Sequence, residues 1–224
     1  MYLIRIFLIF LFFSNKIQTM EEAKKIYPLK NESIDVVITC HEKDKRTLDH
    51  CINGIKKYGK NIDKIFIVSA KKLTDNINAQ WFDEAKFPFT KYDIALAIFD
   101  NNKEEADKFA KSPRLGWIYK QIINLYALLV IDGISSNALI LDSDTIFLNK
   151  VEFIDEQGNA LYNPGTEYEP PYFVHAAKLI RGNNQIKKVF PYYSGISHHQ
   201  LFQKPVLEDL FKQISENHNN IEQL

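Results

Sequence analysis

Two carboxylates one residue apart, Asp142 and Asp144, directly follow the apolar run 138–141, and a second apolar run follows at 146–148. On an extended backbone residues i and i+2 point to the same side, and two buried like charges are unfavourable unless a cation lies beside them. Hard oxygen ligands suit Mg²⁺ or Mn²⁺, whose usual second partner is a phosphate or diphosphate. The spacing therefore predicts a divalent-metal site. The alternative interpretation is an acidic turn that ends a strand.

The elements before this pair predict a βαβ unit. Residues 34–39 are apolar and β-branched, as in a buried strand, and they end in the polar loop 40–46. An apolar face through residues 48–58 predicts a helix that stops at Gly59, and residues 64–69 predict a second strand. The right-handed crossover of such a unit makes its two strands parallel.

The remaining pattern continues the alternation of strands and helices, but less regularly. The predicted elements are a short helix near Trp81, a strand over 93–99, a long helix over 114–131, the Asp-x-Asp strand, a hairpin over 151–162, a proline-rich loop over 163–171 and a last helix opened by Pro205. This order predicts an α/β fold with a mostly parallel, Rossmann-like sheet flanked by helices. Ligands of such sheets bind at the carboxyl ends of the strands, where the loops 40–46 and 142–145 are expected to meet.

Composition indicates an ordinary globular chain. It has 224 residues, with 28 Lys and Arg against 28 Asp and Glu, and we expect one domain over residues 30–224. A net charge of zero removes the electrostatic basis for nucleic acid as a partner. Cys40 and Cys51 fit no metal-binding or Cys-x-x-Cys spacing, so they are predicted to be packing residues.

The amino-terminal residues have a separate role. Residues 2–13 are apolar apart from Arg5, a run too short to span a bilayer as a helix. Residues 1–20 are predicted to be a signal peptide or an amino-terminal anchor, which implies export or membrane association through residues 2–13. The alternative is a cytoplasmic protein whose translation starts at Met20.

Four features, taken in their order along the chain, resemble a known family. They are the βαβ start, the helix over residues 114–121 with its Gly-Trp pair, the apolar strand that leads into residues 142–145, and the late segment 194–199 with adjacent histidines. Their order is similar to that of glycosyltransferases of the GT-A fold, and most similar to a bacterial family with a Gly-Trp-Tyr-x-Gln-Gln helix. Ile118 and Lys120 depart from that helix motif.

The resemblance implies an activity, a cofactor and partners. It implies transfer of a sugar from a nucleotide-diphosphate donor to an unidentified acceptor (a glycan, a lipid or a protein), with Mn²⁺ or Mg²⁺ as cofactor. The metal would stabilise the charge that develops on the departing diphosphate. Relatives tend to continue beyond the length of this chain with a further acidic segment. We therefore expect donor binding to survive better than transfer.

The resemblance also implies site residues. Asp144 would bind the metal directly, and Asp142 would contact the ribose or bind the metal through water. The remaining nucleotide-sugar-binding residues are predicted to be Thr39, His41, Asp44, Arg114, Trp117, Gln121 and Ser143. Each of four has a simpler alternative: Asp44 as a helix cap, His41 as a solvated loop residue, Arg114 as an ordinary exposed residue, and Trp117 as a core residue.

Histidines and glutamates later in the chain complete the predicted site. His198 and His199 face opposite sides if the backbone is extended, so one of them can enter the site, and we predict His199 as a third metal or diphosphate ligand. Glu167, Glu169 and His175 flank the proline-rich loop and are predicted acceptor-site residues, where a carboxylate could act as general base.

Two other functions are compatible with the Asp-x-Asp pattern. In a phosphatase of the haloacid-dehalogenase type, Asp142 would be the nucleophile beside Mg²⁺. That family expects the motif near the start of the domain and a Thr or Val one place later than Thr145, so the match is incomplete. The second alternative is a non-catalytic protein that retains nucleotide-sugar binding.

Overall fold

A computed structural model of the chain describes residues 27–167, 169–179 and 195–218. The predicted leader over residues 1–20, the start at Met20 and Ser194 of the late histidine segment lie outside these residues. The described strands are β1 (Ile34–Thr39), β2 (Ile62–Ser69), β3 (Gln80–Asp83), β4 (Asn137–Leu141) and β5 (His199–Gln203). The described helices are α1 (Lys45–Tyr58), α2 (Lys91–Ile98), α3 (Lys103–Ala110), α4 (Pro113–Val130), α5 (Pro170–Leu179) and α6 (Lys204–His218), with short 3₁₀ turns at Glu42–Asp44 and Glu84–Lys86.

The strands of the described residues form one sheet in the order β3-β2-β1-β4-β5. The first four are parallel, and β5 runs antiparallel to β4, with Leu141 opposite His199. This is an α/β architecture with a mostly parallel sheet flanked by helices, so the predicted fold class is confirmed at that level. The arrangement is compatible with a Rossmann-like fold.

Side chains of β1 alternate between two apolar layers. Val37 belongs to the layer formed with helices α2 to α6, whereas Val36 and Ile38 belong to the layer formed with α1. All three side chains are inaccessible to solvent. Full burial of an aliphatic side chain contributes about 1.5–3 kcal/mol, so burial on both faces makes β1 a strongly stabilised central strand.

Two predictions between residues 71 and 102 are wrong. The segment predicted as a strand over 93–99 is helix α2, which begins at a capping box formed by Thr90 and Asp93. The region near Trp81, predicted as a short helix, is strand β3, which pairs in parallel with β2. In both cases a short apolar run fits either periodicity, and the local cap or the neighbouring strand decides.

The predicted hairpin and proline-rich loop are partly different in the structure. In residues 151–162 a single antiparallel bridge joins Ile154 to Ala160, while Val151 bridges Gly59 beside α1. The proline-rich loop ends earlier than predicted, because Pro170 begins helix α5. Proline is tolerated in the first turn of a helix, where its missing N–H has no intrahelical partner.

The long helix and the last helix are confirmed. Helix α4 spans 18 residues, starts at Pro113 after the capping side chain of Ser112, and runs across the sheet back toward the start of β4. Helix α6 follows β5 directly and buries Leu207, Leu210 and Ile214. The start of α4 therefore lies at the carboxyl edge of the sheet, where the candidate site lies.

Candidate functional site

Polar segments from three strands meet at the carboxyl edge. Strands β1 and β4 are parallel neighbours, so the loops that follow Thr39 and Leu141 leave the sheet on the same side, and β5 enters the sheet there. Thr47 at the start of α1 donates a hydrogen bond to the Ser143 carbonyl over 3.1 Å. The Asp142 amide donates to the His198 carbonyl over 3.0 Å. The start of helix α1, which follows the loop 40–46, and the residue just before β5 are thus both hydrogen-bonded to the loop 142–145.

The Asp-x-Asp segment is a turn rather than a continuation of the strand. Strand β4 ends at Leu141, and the Thr145 amide donates a hydrogen bond to the Asp142 carbonyl over 3.0 Å. The expectation that both carboxylates lie on one extended backbone is therefore wrong. Asp142 is half-buried and Asp144 is exposed, which leaves the second carboxylate open to solvent at the edge.

The side chain of Asp142 already has two side-chain partners. Lys120 of helix α4 places its Nζ 2.5 Å from Asp142 Oδ1, and His198 Nδ1 lies 3.2 Å from Oδ2. The Lys120 and Asp142 side chains are 29% and 30% exposed. The sequence patterns above give Lys120 no role in the site, although one signal was present. Residues 115–130 of α4 contain a single charged side chain, which is Lys120.

The adjacent histidines face different surroundings. His198, and not the predicted His199, lies within hydrogen-bonding distance of an Asp142 oxygen. His199 begins β5 and is half-buried, with its ring edge-on to Phe147 and Phe153 at centroid distances of 5.5 and 5.8 Å. Burial lowers the pKa of His199, His198 lowers it further, and Asp142 opposes the shift. The ring of His199 is therefore held in its neutral form at neutral pH.

Three residues predicted to meet base and ribose lie at the end of β1 and in the loop that follows it. Thr39 donates a hydrogen bond over 2.7 Å to Asn124 Oδ1, which fixes the strand end to helix α4. His41 is exposed and accepts a bond from the Lys43 amide, so its ring caps the 3₁₀ turn. Asp44 occupies the N-cap position of α1 without a side-chain capping bond. The alternative role of Asp44 as a capping side chain is therefore not seen.

The first turns of α4 carry the next group of predicted residues. Arg114 is exposed, and its guanidinium carbon lies 3.9 Å from the ring centroid of Trp117, a cation–π arrangement. Trp117 is partly buried against the larger apolar layer, which matches its alternative role as a core residue. Its ring is also the surface on which Arg114 stacks. Gln121 is partly buried one turn further along the same helix. All three lie on the first half of α4, the helix that also carries Lys120.

The predicted acceptor residues separate into two groups. Glu167 and Glu169 are exposed just before α5, whereas His175 is 5% exposed and lies within the packing of that helix. Burial raises the pKa of the Tyr172 phenol; Glu169 and Glu167 add to the rise, and Arg114 opposes it. Because the charge of Arg114 acts on Tyr172, the start of α5 lies near the start of α4.

The cysteines and Ser143 lie beneath the Asp-x-Asp turn. Both cysteines are buried and unpaired as disulfides, as predicted. Burial raises the pKa of the Cys51 thiol to about 12, and Asp144 adds to the shift, so this sulfur remains protonated and is unsuited to bind a metal. Ser143 is buried, and its side chain hydrogen-bonds with the Cys40 thiol. The Ser143 side chain therefore points into the protein interior and not toward the open carboxyl edge of the sheet.

The donor set fits one kind of divalent-metal site. Among the described residues there is no group of three or more His, Cys, Asp or Glu side chains placed to hold a metal. Mg²⁺ sites that serve phosphate chemistry use one or two protein carboxylates and complete their coordination with water and substrate phosphates. Asp142 and Asp144 match that type, because both are hard oxygen donors at the edge and Asp144 is open to solvent.

Comparison of the sequence with protein-family models and with curated proteins found no match to either. No helix among residues 27–167, 169–179 and 195–218 is long and apolar enough to cross a membrane.

Proposed function

We propose that the protein is a metal-dependent glycosyltransferase of the GT-A type, which transfers a sugar from a nucleotide-diphosphate donor to a glycan, lipid or protein acceptor. One observation carries the proposal. An Asp-x-Asp turn lies at the carboxyl edge of a mostly parallel sheet, next to the loop that follows the first strand and beside a lysine. Open α/β sheets bind their ligands at this edge, and a diphosphate needs both a metal and cationic partners.

The proposed roles follow from where each side chain lies. Asp144 and Asp142 would hold Mn²⁺ or Mg²⁺, which supplies Lewis-acid stabilisation of the diphosphate leaving group. His41 and Asp44, which are beside Thr39 at the end of β1, would contact base and ribose. Arg114 stacks on Trp117 at the rim, a placement that suits a phosphate or sugar contact. Glu169 and Glu167, beside the start of α5, would face the acceptor.

The proposal is tested by nucleotide binding. We expect UDP or GDP to bind wild-type protein in the presence of Mn²⁺ and to lose at least about tenfold in affinity, or about 1.4 kcal/mol, in EDTA. Asp144→Asn should lose the same factor in Mn²⁺, because the amide keeps the shape but not the charge that binds the cation. Asp132→Asn, an exposed carboxylate between α4 and β4 at the other edge, is the matched control. Isothermal titration calorimetry measures all of these affinities.

Turnover is tested separately. Release of UDP or GDP from a panel of nucleotide sugars, with water as acceptor, should require Mn²⁺ and fall in Asp144→Asn. Equal nucleotide affinity in Mn²⁺ and in EDTA would refute the metal-dependent proposal. Phosphate release from p-nitrophenyl phosphate that is lost in Asp142→Asn would instead support the phosphatase alternative.

A further inference from the structure

We propose that Lys120 is a displaceable counter-ion of the Asp-x-Asp turn, which occupies Asp142 in the ligand-free protein and moves onto the donor diphosphate when metal and nucleotide bind together. The inference rests on the function proposed above and assigns a specific diphosphate-binding role to a residue that departs from the resembled helix motif. It predicts that metal alone binds poorly and that metal and nucleotide bind as a pair.

The geometry places Lys120 where a metal would compete with it. Its ammonium lies 2.5 Å from Asp142 Oδ1, and the other oxygen of the same carboxylate faces His198 Nδ1 at 3.2 Å. Both carboxylate oxygens are therefore occupied by side chains of the protein itself. A divalent cation that binds Asp142 would therefore compete with these two side chains for the same carboxylate.

A hydrogen bond between α4 and the end of β1 fixes the helix backbone that carries Lys120. Asn124, one turn further along α4, is 7% exposed and accepts the Thr39 hydrogen bond, which anchors the helix to the end of β1. Lys120 projects from this anchored turn, with a flexible four-carbon stem and a point charge that forms hydrogen bonds in any direction. Its ammonium can therefore move by a few ångströms while the helix stays in place.

The strength of the ion pair is suited to exchange. Both side chains are close to one-third exposed, so the pair is partly hydrated and its net contribution to stability is small. A diphosphate adds several negative charges beside the same ammonium, and lysine is a common phosphate ligand in nucleotide sites. Ligand binding would thus transfer Lys120 from one anion to a stronger one and release Asp142 to the metal.

The other cation of α4 is less suited to this role. Helix α4 contains two basic residues, Arg114 and Lys120. The Arg114 guanidinium stacks on the Trp117 ring, three residues away and nearer the solvent. Lys120 is the one in contact with the Asp-x-Asp turn, so substitution of each should have separable effects.

The experiment measures the affinity for Mn²⁺ alone and the affinity for the nucleotide in Mn²⁺, which we expect to change in opposite directions when Lys120 is substituted. Mn²⁺ alone, and UDP or GDP with saturating Mn²⁺, are titrated into wild-type protein, Lys120→Gln and the control Lys91→Gln. Lys91 lies beside Gly116 of α4 and is not the ion-pair partner of Asp142. Its substitution therefore removes an equal charge close to the same helix and leaves the Lys120–Asp142 pair intact. For Lys120→Gln we expect Mn²⁺ alone to bind about three- to tenfold more tightly and the nucleotide to bind at least about tenfold more weakly. Lys91→Gln should change neither by more than about twofold.

Other outcomes overturn the inference. If Lys120→Gln weakens both affinities, or leaves both unchanged, Lys120 has a purely structural role or none, while nucleotide binding by the wild type would leave the proposed function standing. If the wild type binds no nucleotide with Mn²⁺, both the function and the inference are refuted. Should Lys120→Gln fail to fold, the Lys120 ammonium resonance of the wild type is followed by ¹H–¹⁵N NMR as UDP and Mg²⁺ are added. A resonance that does not shift would contradict the exchange.

Discussion

Asp35, in the second position of β1, and Asp142, just beyond the end of β4, are held by partners of different kinds at opposite edges of the sheet. Asp35 is 1% exposed and accepts hydrogen bonds from two backbone amides, those of Lys64 at 3.0 Å and Ser135 at 2.8 Å. Asp142 is partly exposed and contacts two side chains, Lys120 and His198. A backbone amide is fixed by the fold, whereas a side-chain cation can leave.

The rest of each edge follows the same division. At the amino edge, the amide of Gln203, which is 6% exposed, donates to Asn137 Oδ1 and to the Gly158 carbonyl, and Asn137 in turn donates to the Lys30 carbonyl. This polar network joins distant segments through buried, satisfied groups. At the carboxyl edge the charged groups are partly or fully open to solvent. The polar groups of one edge are therefore buried and satisfied within the fold, and the charged groups of the other are accessible to solvent.

The largest expected effect separates the two aspartates by stability. Asp35→Ala leaves the Lys64 and Ser135 amides without their acceptor, and we expect a loss of about 3 kcal/mol in the free energy of unfolding. Asp142→Ala breaks a partly hydrated ion pair and should cost about 1 kcal/mol or less. Urea denaturation followed by circular dichroism measures both. Equal losses in the two variants would contradict the division between the edges.

A smaller effect is expected at Thr39, which belongs to the predicted nucleotide site but hydrogen-bonds within the fold. Thr39→Val keeps the shape and removes the donor to Asn124, whose side chain is 7% exposed, and should cost about 1 kcal/mol of stability. Thr39→Ser keeps the hydroxyl and serves as the control. If Thr39 acts mainly as an anchor, nucleotide affinity in Mn²⁺ falls less than about threefold in the valine variant. A larger fall would show that its hydroxyl also contacts the ligand.

Much of the fold follows from local sequence patterns, and the exceptions have identifiable causes. The strand over 34–39 and the long helix starting near Arg114 are found as predicted, because one is β-branched at every position except Asp35 and the other has a sustained helical period. The segment 93–99 is too short to distinguish helix from strand, and the capping box at Thr90 decides for a helix. Helix α3 was not predicted, since its sequence is mostly charged and buries one residue, Ala106.

The site is harder to predict from the sequence than the fold, because its contacts join residues that are far apart in the chain. The Asp-x-Asp pair stands out by spacing alone, but the turn after Leu141 depends on a backbone bond that no side-chain pattern reports. The contact of Lys120 with Asp142 spans 22 residues, and that of His198 spans 56. Which histidine reaches Asp142 is set by the register of β5 against β4, which the sequence of β5 does not encode locally.

The smallest expected effect concerns His199, which lies at the carboxyl edge but is packed like a core residue. Its pKa is lowered from the ordinary value of 6.5, chiefly by burial, so the unfolded chain binds the proton more readily than the folded protein. The free energy of unfolding should therefore be at its full value above about 6.5, the ordinary pKa of the unfolded chain, and should decrease as the pH falls from there toward the lowered pKa of the folded protein. His199→Phe, which suits the rings of Phe147 and Phe153, should flatten this acid decrease. His50→Gln, an exposed histidine of α1, should retain it. Urea denaturation at several pH values between 5 and 8 measures the slopes, a range chosen to span the titration of histidine at about 6.5. An unchanged slope in His199→Phe would show that His199 is not the source of the acid sensitivity.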